Sequence, residues 1–135
     1  MKIEEVESTK KWTKYGKNFV VELAHRFDGN FNIWNLYAYI YPEHKLFKKI
    51  SCDKDVDMLP MHGGITYFRF VSCHENKDVF SHTAIQVGCD YHHYGDDRYQ
   101  RKFDDDITVF AGDIDALVNA LTETDGNVAE DLTAN

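Results

Sequence analysis

The stretch FNIWNLYAYIY, from Phe31 to Tyr41, constrains the fold more than any other part of the chain. Trp34, Leu36, Ala38 and Ile40 recur at every second position, so an extended backbone places these side chains on one face. Bulky residues also occupy the alternate positions, which is typical of a strand that is central or packed under a helix. The pattern therefore predicts a buried β-strand.

A second strand is expected directly before this one. The run KNFVVELAHRF, from Lys17 to Phe27, is rich in the β-branched and aromatic residues that favour strands. Between the two runs lies DGN, from Asp28 to Asn30, which is a hairpin turn signal. The two runs therefore predict an antiparallel hairpin.

Two further strands are indicated in the second half of the chain. They are ITYFRFV, from Ile65 to Val71, and SHTAIQVGC, from Ser81 to Cys89. If these two strands pair as an antiparallel hairpin, the start of the first lies beside the end of the second. Residues just before Ile65 and just after Cys89 would then be neighbours.

The C-terminal part of the chain carries the pattern of an amphipathic helix. Within GDIDALVNALTE, from Gly112 to Glu123, apolar residues recur at the spacing i, i+3, i+4 and i+7, which places them on one helical face. Asp113 is the expected N-cap. A weaker pattern predicts another helix from Glu4 to Tyr15, before the first strand. The apolar residues of the C-terminal helix are Ile114, Leu117, Val118 and Leu121.

These elements predict an α+β fold, an antiparallel sheet of four or more strands with a C-terminal helix packed on one face. A length of 135 residues, 43% of them hydrophobic, fits a single domain with a real core. That domain is expected to span residues 1–123. Residues 124–135 are polar and acidic, and we expect them to form a flexible tail.

The charge and the cysteines narrow the classes of partner and compartment. A formal net charge of −8 argues against direct nucleic-acid binding, because phosphate contacts need Lys and Arg to replace counterions. No apolar run approaches the roughly 18 residues that cross a bilayer, so no membrane contact is expected. The acidity suits a protein partner with a basic surface. The sequence does not set the oligomeric state.

The three cysteines, Cys52, Cys73 and Cys89, form no CxxC pair, and their odd number indicates free thiols in a reducing cytosol. Cys89 stands inside a polar motif, where it is either a reactive thiol or, as we expect, a small buried residue. The protein is accordingly expected in the cytoplasm.

Polar residues gather at the ends of the last two predicted strands. His62 precedes a glycine pair, Gly63 and Gly64, which allows a tight turn or a close approach of the backbone to a ligand. Asp90 and His93 follow the next strand, so antiparallel pairing would bring His62 to both of them at one edge of the sheet.

The chain can add one more carboxylate to this cluster. Asp96 or Asp97 would return to the same edge after a turn at Gly95. His92 and His93 point to opposite sides of an extended backbone, and we expect His93 to face the cluster.

Imidazole and carboxylate groups gathered in this way suit three roles. They can bind a divalent metal, the one cofactor that the sequence suggests, through His62, Asp90 and His93. They can carry out general acid–base catalysis, because histidine titrates near pH ~6.5. They can also form a hydrogen-bonded network that fixes the loops and binds no ligand. The spacing matches no standard zinc motif and leaves all three roles open.

Three segments resemble, in order, a family of small uncharacterised phage and bacterial proteins. They are PEHKLFKKI, MHGGITYF and IQVGCDYHHYGDD. Members of that family carry a P-x-H-P-L-x-G-like segment, then H-G-G-L-T-Y, then G-F-D-x-x-H-x-x-D, and a closing helix. The resemblance covers residues 41 to 123, and the matching positions are His44, His62, Gly63, Gly64, Thr66, Tyr67, Gly88, Asp90, His93 and Asp96.

The resemblance implies a phage-type origin and a shared polar ligand site that includes Thr66 and Tyr67, and it implies no particular reaction. The chain departs from the family pattern at Lys45 and Lys48, which stand where proline and glycine are expected, and at Cys89, which replaces phenylalanine.

Three functions are compatible with these observations. We favour a phage-type accessory protein that binds a host protein in the host cytoplasm, for counter-defence or host takeover. The second is a small metal-dependent hydrolase or nucleotide-binding protein that uses His62, Asp90, His93 and Asp96. The third is a non-catalytic structural module. Enzymatic activity is the less expected outcome, because the spacing reveals neither an activated nucleophile nor a full set of metal ligands.

Overall fold

The computed structural model describes residues 8–72, 82–93, 95–100 and 106–126. Its main feature is a five-stranded antiparallel sheet. The strands are β1 (Ser8–Tyr15), β2 (Phe19–Phe27), β3 (Asn32–Ile40), β4 (Tyr67–Ser72) and β5 (His82–Asp90). The helices are a single turn, α1 (Asp97–Gln100), and the longer α2 (Ala111–Thr124). Three 3-10 turns cover Phe47–Lys49, Asp53–Val56 and Thr108–Phe110.

The hairpin of β2 and β3 forms as the sequence predicts. The two strands pair along their full length, with Leu23 opposite Leu36. The carboxylate of Asp28 accepts hydrogen bonds of 2.8 Å from the backbone N–H groups of Asn30 and Phe31, which fixes the connecting turn. The predicted core face of β3 is confirmed, because its four apolar residues are all buried: Trp34, Leu36, Ala38 and Ile40.

Strands β4 and β5 also pair antiparallel, with Tyr67 opposite Gly88 and Phe70 opposite Ile85. The sheet order is β1-β2-β3-β5-β4, so β5 lies between β3 and β4. The start of β4 therefore lies beside the end of β5, which is the arrangement that the candidate site requires.

Helix α2 covers one face of the sheet, and the predicted α+β class is confirmed. Leu117 and Leu121 are fully buried in the core, and Ile114 and Val118 pack against it from partly buried positions. Neither described helix has the length and apolar character needed to cross a membrane.

The predicted N-cap at Asp113 is wrong. The helix continues directly from the 3-10 turn, and Phe110 occupies the cap position without a side-chain hydrogen bond. Asp113 lies in the first helical turn, and its carboxylate accepts a hydrogen bond of 2.7 Å from the hydroxyl of Tyr91.

The predicted N-terminal helix is also wrong over its described part. Residues 8–15 form strand β1, which pairs with β2 along its whole length. Trp12 stacks on Trp34 at a ring-centroid distance of 5.6 Å. Residues 4–7 of that prediction lie outside the described residues.

The described structure continues past residue 123, the predicted end of the domain. Helix α2 ends at Thr124, and Asp125 is buried. Its carboxylate accepts hydrogen bonds of 2.8 Å from the side chain of Asn18 and the backbone N–H of Lys45. The flexible tail stays a prediction for residues 127–135, which lie outside the described part of the chain.

The sheet face opposite α2 carries polar contacts that cross all five strands. Arg69 on β4 donates to Gln86 on β5 (2.8 Å), and Gln86 donates to the hydroxyl of Tyr39 on β3 (2.9 Å). Tyr39 donates in turn to Glu22 on β2 (3.5 Å), which pairs with Lys11 on β1 (4.0 Å). We call this series of contacts the polar ladder.

Candidate functional site

The site begins at the tight turn that precedes β4. The N–H of Gly64 donates to the carbonyl of Met61 at 3.0 Å and closes the turn. Gly63 has a φ of +69°, and a Cβ at this position would lie 2.8 Å from Cε1 of His93. Gly63 is therefore required both for its left-handed backbone and for the close packing of the His93 ring. Gly64 has a φ of +95° but faces open space.

Three of the predicted residues meet beside this turn. Nε2 of His62 donates to the carboxylate of Asp96, at 2.9 Å from Oδ1 and 3.0 Å from Oδ2. Nδ1 of His93 lies 3.2 Å from Oδ2 of the same carboxylate. The ligand atoms of these residues all lie within 4.8 Å of one another.

Asp90 lies at the margin of this group, which we call the His/Asp cluster (His62, His93 and Asp96). Its Oδ1 is 3.6 Å from Nδ1 of His93 and accepts the backbone N–H of His92 at 3.1 Å. The carboxylate oxygens of Asp90 do not belong to the set of ligand atoms that lie within 4.8 Å of one another. The ring of His92 is exposed and faces Phe31, so His93 is the histidine that joins the cluster, as expected. The side chain of Asp97 lies outside the described part of the structure.

The carboxylate of Asp96 is ionised at neutral pH. Its burial raises the pKa, but the N–H of His93 at 2.8 Å and the ring of His62 stabilise the charged form more strongly. The net result is a pKa below the usual range for aspartate. The side chains of His62 and His93 are 26% and 35% exposed, and that of Asp96 is 8% exposed, so solvent reaches the cluster from the histidine side.

Buried aromatic rings form the floor of the cluster, and sequence reasoning missed them. The ring of His62 stacks on that of Tyr91 at a centroid distance of 4.4 Å, and it meets the ring of Tyr99 edge-on at a centroid distance of 5.5 Å. Both tyrosines contact Phe110, at 4.9 and 5.4 Å. The alternation of β5 continues through Cys89 to Tyr91 on the core face, and this signal could have identified Tyr91. The side chain of His62 is therefore held between a carboxylate and the hydrophobic core.

The hydroxyl of Tyr91 ties this floor to helix α2 through its hydrogen bond to Asp113. Burial, together with that hydrogen bond, raises the pKa of Tyr91 far above its usual range. The hydroxyl is therefore a permanent donor, and it anchors the ring on which His62 rests.

The geometry of the His/Asp cluster fits a small divalent ion. A tetrahedral ion with bonds of about 2.0–2.1 Å separates its ligand atoms by roughly 3.3 Å. Oδ2 of Asp96 lies 3.2 Å from Nδ1 of His93 and 3.0 Å from Nε2 of His62, and both distances are close to that separation. Two imidazoles and one carboxylate also form a ligand set that zinc and related ions favour.

No family model, no curated protein and no solved structure matches this chain. The resemblance to phage and bacterial proteins therefore rests on the sequence motifs alone and stays a prediction. The chemistry of the cluster has to be inferred from its own geometry.

Other predicted ligand residues lie away from the His/Asp cluster. Thr66 and Tyr67 line a separate cavity of about 450 Å³, together with the exposed Cys52. Tyr67 also packs edge-on against Tyr37 at 5.6 Å. Their role as ligand contacts stays a prediction, and it would concern a different surface.

His44, which matches a position of the resembled family, is buried near the C-terminal end of helix α2. The floor of the His/Asp cluster contacts the other end of this helix, through Tyr91 and Asp113. Nδ1 of His44 accepts the N–H of Leu46 at 3.0 Å, so Nε2 carries the proton and donates to the carbonyl of Leu121 at 2.7 Å. One ring nitrogen therefore fixes the loop after β3, and the other attaches that loop to the end of the helix.

Cys89 is buried beneath the turn. Burial raises the pKa of its thiol to about 12, although the N–H of His62 donates to the sulfur and lowers the pKa in part. The thiol therefore stays protonated at neutral pH, which agrees with the expected buried residue and not with a reactive one.

Proposed function

We propose that this protein binds a divalent transition-metal ion, of which Zn²⁺ is the first candidate. The ligands would be Nε2 of His62, Nδ1 of His93 and the carboxylate of Asp96. The observation that supports this proposal is the convergence of these ligand atoms within 4.8 Å. A hydrogen-bonded network without a metal would use the same residues, so binding has to be measured directly.

The test is a titration of untagged, chelator-treated protein with Zn²⁺ by calorimetry and with Co²⁺ by visible absorption. We expect one ion per chain and the intense Co²⁺ absorption of a four-coordinate site. His62→Ala, His93→Ala and Asp96→Asn should each weaken binding by about tenfold or more. Absence of saturable binding would reject the proposal.

Two matched controls separate the cluster from its neighbours. His92→Ala removes an exposed imidazole one position from His93, and it should leave the affinity unchanged. Asp90→Asn tests the ligand set predicted from the sequence, because Asp90 lies 3.6 Å from His93. A loss as large as that of Asp96→Asn would add Asp90 to the ligands. A loss with His92→Ala would point to non-specific surface binding.

Hydrolysis is a second candidate function, and it depends on metal binding. Three protein ligands leave one position of a tetrahedral ion free, which is the pattern of catalytic zinc sites. The exposed edges of His62 and His93 leave that position open to a substrate. The test is the turnover of an activated ester and of a phosphate monoester with Zn²⁺ and with chelator. Tight Zn²⁺ binding without turnover would leave a binding protein.

Binding of a host protein remains our proposal for the wider biological role. It is supported by the net charge of −8, which favours a partner with a basic surface. The test is affinity capture from a bacterial lysate at low and at moderate salt. A stoichiometric basic partner that dissociates as salt is raised would support it, and the absence of any such partner would count against it.

A further inference from the structure

Strand β1 forms one outer edge of the sheet. It pairs with β2 through all eight of its residues without a register shift. No described strand pairs with its other side. Alternate backbone N–H and C=O groups of an edge strand point outward, and a long regular edge is a template for one more strand.

An apolar groove runs beside this edge. Its volume is about 670 Å³, and it lies between β1 and the start of α2. This volume is within the range of clefts that bind ligands. Side chains of an added strand that face the helix side of the sheet would enter the groove. Its apolar lining comes from Trp12, Val21, Leu23, Ile107, Ala111 and Ile114.

The charges along β1 determine which partner suits this edge. The strand carries Lys10, Lys11 and Lys14 and no acidic residue, within a chain of net charge −8. Lys11 pairs with Glu22 at 4.0 Å and Lys14 with Asp115 at 3.5 Å. Both lysine side chains are more than half exposed, and exposed pairs of this kind contribute little stability. A carboxylate of a partner can therefore compete with Glu22 for Lys11, or with Asp115 for Lys14, at a small cost in free energy.

The same charges disfavour a second copy of the chain at this edge. Two β1 strands paired edge to edge would oppose lysine with lysine, and like charges on adjacent strands are destabilising. Lysine on an edge strand is a common device against such self-association. An acidic strand meets no such repulsion.

We propose that β1 is a docking strand for an extended acidic segment of a partner protein. The segment adds as a sixth strand, and its alternate apolar side chains enter the groove beside Trp12. Its carboxylates then lie on the open face of the sheet beside Lys11, while Lys10 and Lys14, on the same face of β1 as Trp12, add positive charge along the groove side. This mode of recognition combines backbone hydrogen bonds with side-chain pockets. It is independent of the metal site, which lies at the other end of the sheet order, between β4 and β5.

The probe is a fluorescein-labelled peptide of alternating valine and glutamate, matched to β1 in its length of eight residues. Binding is measured by fluorescence anisotropy with the full chain at low ionic strength. We expect saturable binding that weakens as salt is raised, because exposed charges are screened. A peptide of alternating valine and lysine is the charge control, and it should not bind.

Amide hydrogen exchange identifies the binding edge. The outward-facing N–H groups of β1 should gain protection when the valine–glutamate peptide is bound, whereas those of β4 should not. Lys11→Glu and Lys14→Glu together should weaken binding by about tenfold or more. Lys48→Glu and Lys49→Glu make the same charge change on an exposed turn outside the sheet and should have little effect.

Four results of the binding and exchange experiments above would overturn the proposal. They are absence of binding, equal binding of the lysine peptide, equal loss in the two pairs of lysine variants, and protection at β4 instead of β1. Sedimentation that shows a dimer held through β1 would assign the edge to a second copy. Peptide binding that appears only after deletion of residues 127–135 would assign it to the chain's own C-terminal segment, and would likewise reject an outside partner.

Discussion

Nε2 of His62 lies 2.9 Å from Oδ1 of Asp96, although 34 positions separate the two residues in the chain. The contact joins the turn before β4 to the turn after β5, and it is possible only because these strands pair antiparallel. His93 shares the same carboxylate, so removal of Asp96 affects both histidines.

Replacement of Asp96 should make the protein less stable at neutral pH, and the loss should become smaller in acid. The folded-state pKa of Asp96 is depressed, so its stabilisation is complete above the unfolded-state pKa of about 3.9 and is lost as the pH falls through the folded value. At pH 7, we expect Asp96→Asn to lower the free energy of unfolding by about 1–3 kcal/mol. Urea unfolding of the wild-type and Asp96→Asn proteins with chelator present, at pH 7 and near pH 3, measures the difference in unfolding free energy.

The difference in unfolding free energy between the wild-type and variant proteins should be smaller near pH 3 than at pH 7. Asp28 and Asp55 also have a lowered pKa, because backbone N–H groups, first those of Phe31 and Ser51, donate to them. Both residues are present in both chains, so their effects cancel. A difference that does not depend on pH would contradict the assigned role of the ionised carboxylate.

Alanine at Gly63 should be more harmful than alanine at Gly64. Both positions have a positive φ, which costs a non-glycine residue about 1–2 kcal/mol. At Gly63 the new methyl group also meets the ring of His93, and we expect a total loss of about 2–4 kcal/mol. The Zn²⁺ affinity should fall with Gly63→Ala and persist with Gly64→Ala. Equal effects in urea unfolding and calorimetry would show that the packing against His93 is unimportant.

His44→Ala should destabilise the fold without weakening metal binding. The substitution leaves the buried N–H of Leu46 without its partner, at an expected cost of about 1–3 kcal/mol. The carbonyl of Leu121 loses one donor but keeps the hydroxyl of Thr124 and the N–H of Asp125. His92→Ala, an exposed histidine, should change stability by no more than about 0.5 kcal/mol. The measurement is the urea midpoint of each variant. A Zn²⁺ affinity that falls in His44→Ala at a temperature where the chain is folded would instead link His44 to the site.

Cys89 should resist a thiol reagent in the native protein. In a chain that carries Cys52→Ser and Cys73→Ser, Cys89 is the remaining thiol, and its raised pKa and burial keep it unreactive at pH 8. Restoring the exposed Cys52 should add one fast-reacting thiol. The rate of the labelling reaction is followed by the visible absorbance of the thiolate that the reagent releases. Rapid labelling of Cys89 without denaturant would show that the turn above it opens readily.

The strands and the main helix could be predicted because their buried side chains recur at a regular spacing in the sequence. The alternation in β3 and the i, i+3, i+4, i+7 spacing in α2 each place large apolar residues on one face. Strand β1 escaped prediction because it is an edge strand with three lysines, and among its described side chains Trp12 is the one that packs against the core cluster. Its conformation is set by pairing with β2 rather than by its own pattern.

The candidate site was predictable only in part. Antiparallel pairing of the last two strands brings His62 towards His93, and that relationship follows from the sequence. The choice of Asp96 depends on the turn in which its N–H donates to the carbonyl of His93 at 2.9 Å. The aromatic floor depends on Tyr99 of α1 and on Phe110, which no short-range pattern connects with His62.

The polar ladder on the open face has a consequence for folding fidelity. Each of its contacts crosses one strand boundary, from Arg69 to Lys11, and each requires one particular alignment of the two strands. If two paired strands slipped by one residue, the ladder side chain of the shifted strand would move to the face covered by the helix. A polar or charged group there would lose its contact with water. Misaligned versions of the sheet are thus penalised on both sides, which protects a chain with two long edges from settling into a shifted arrangement.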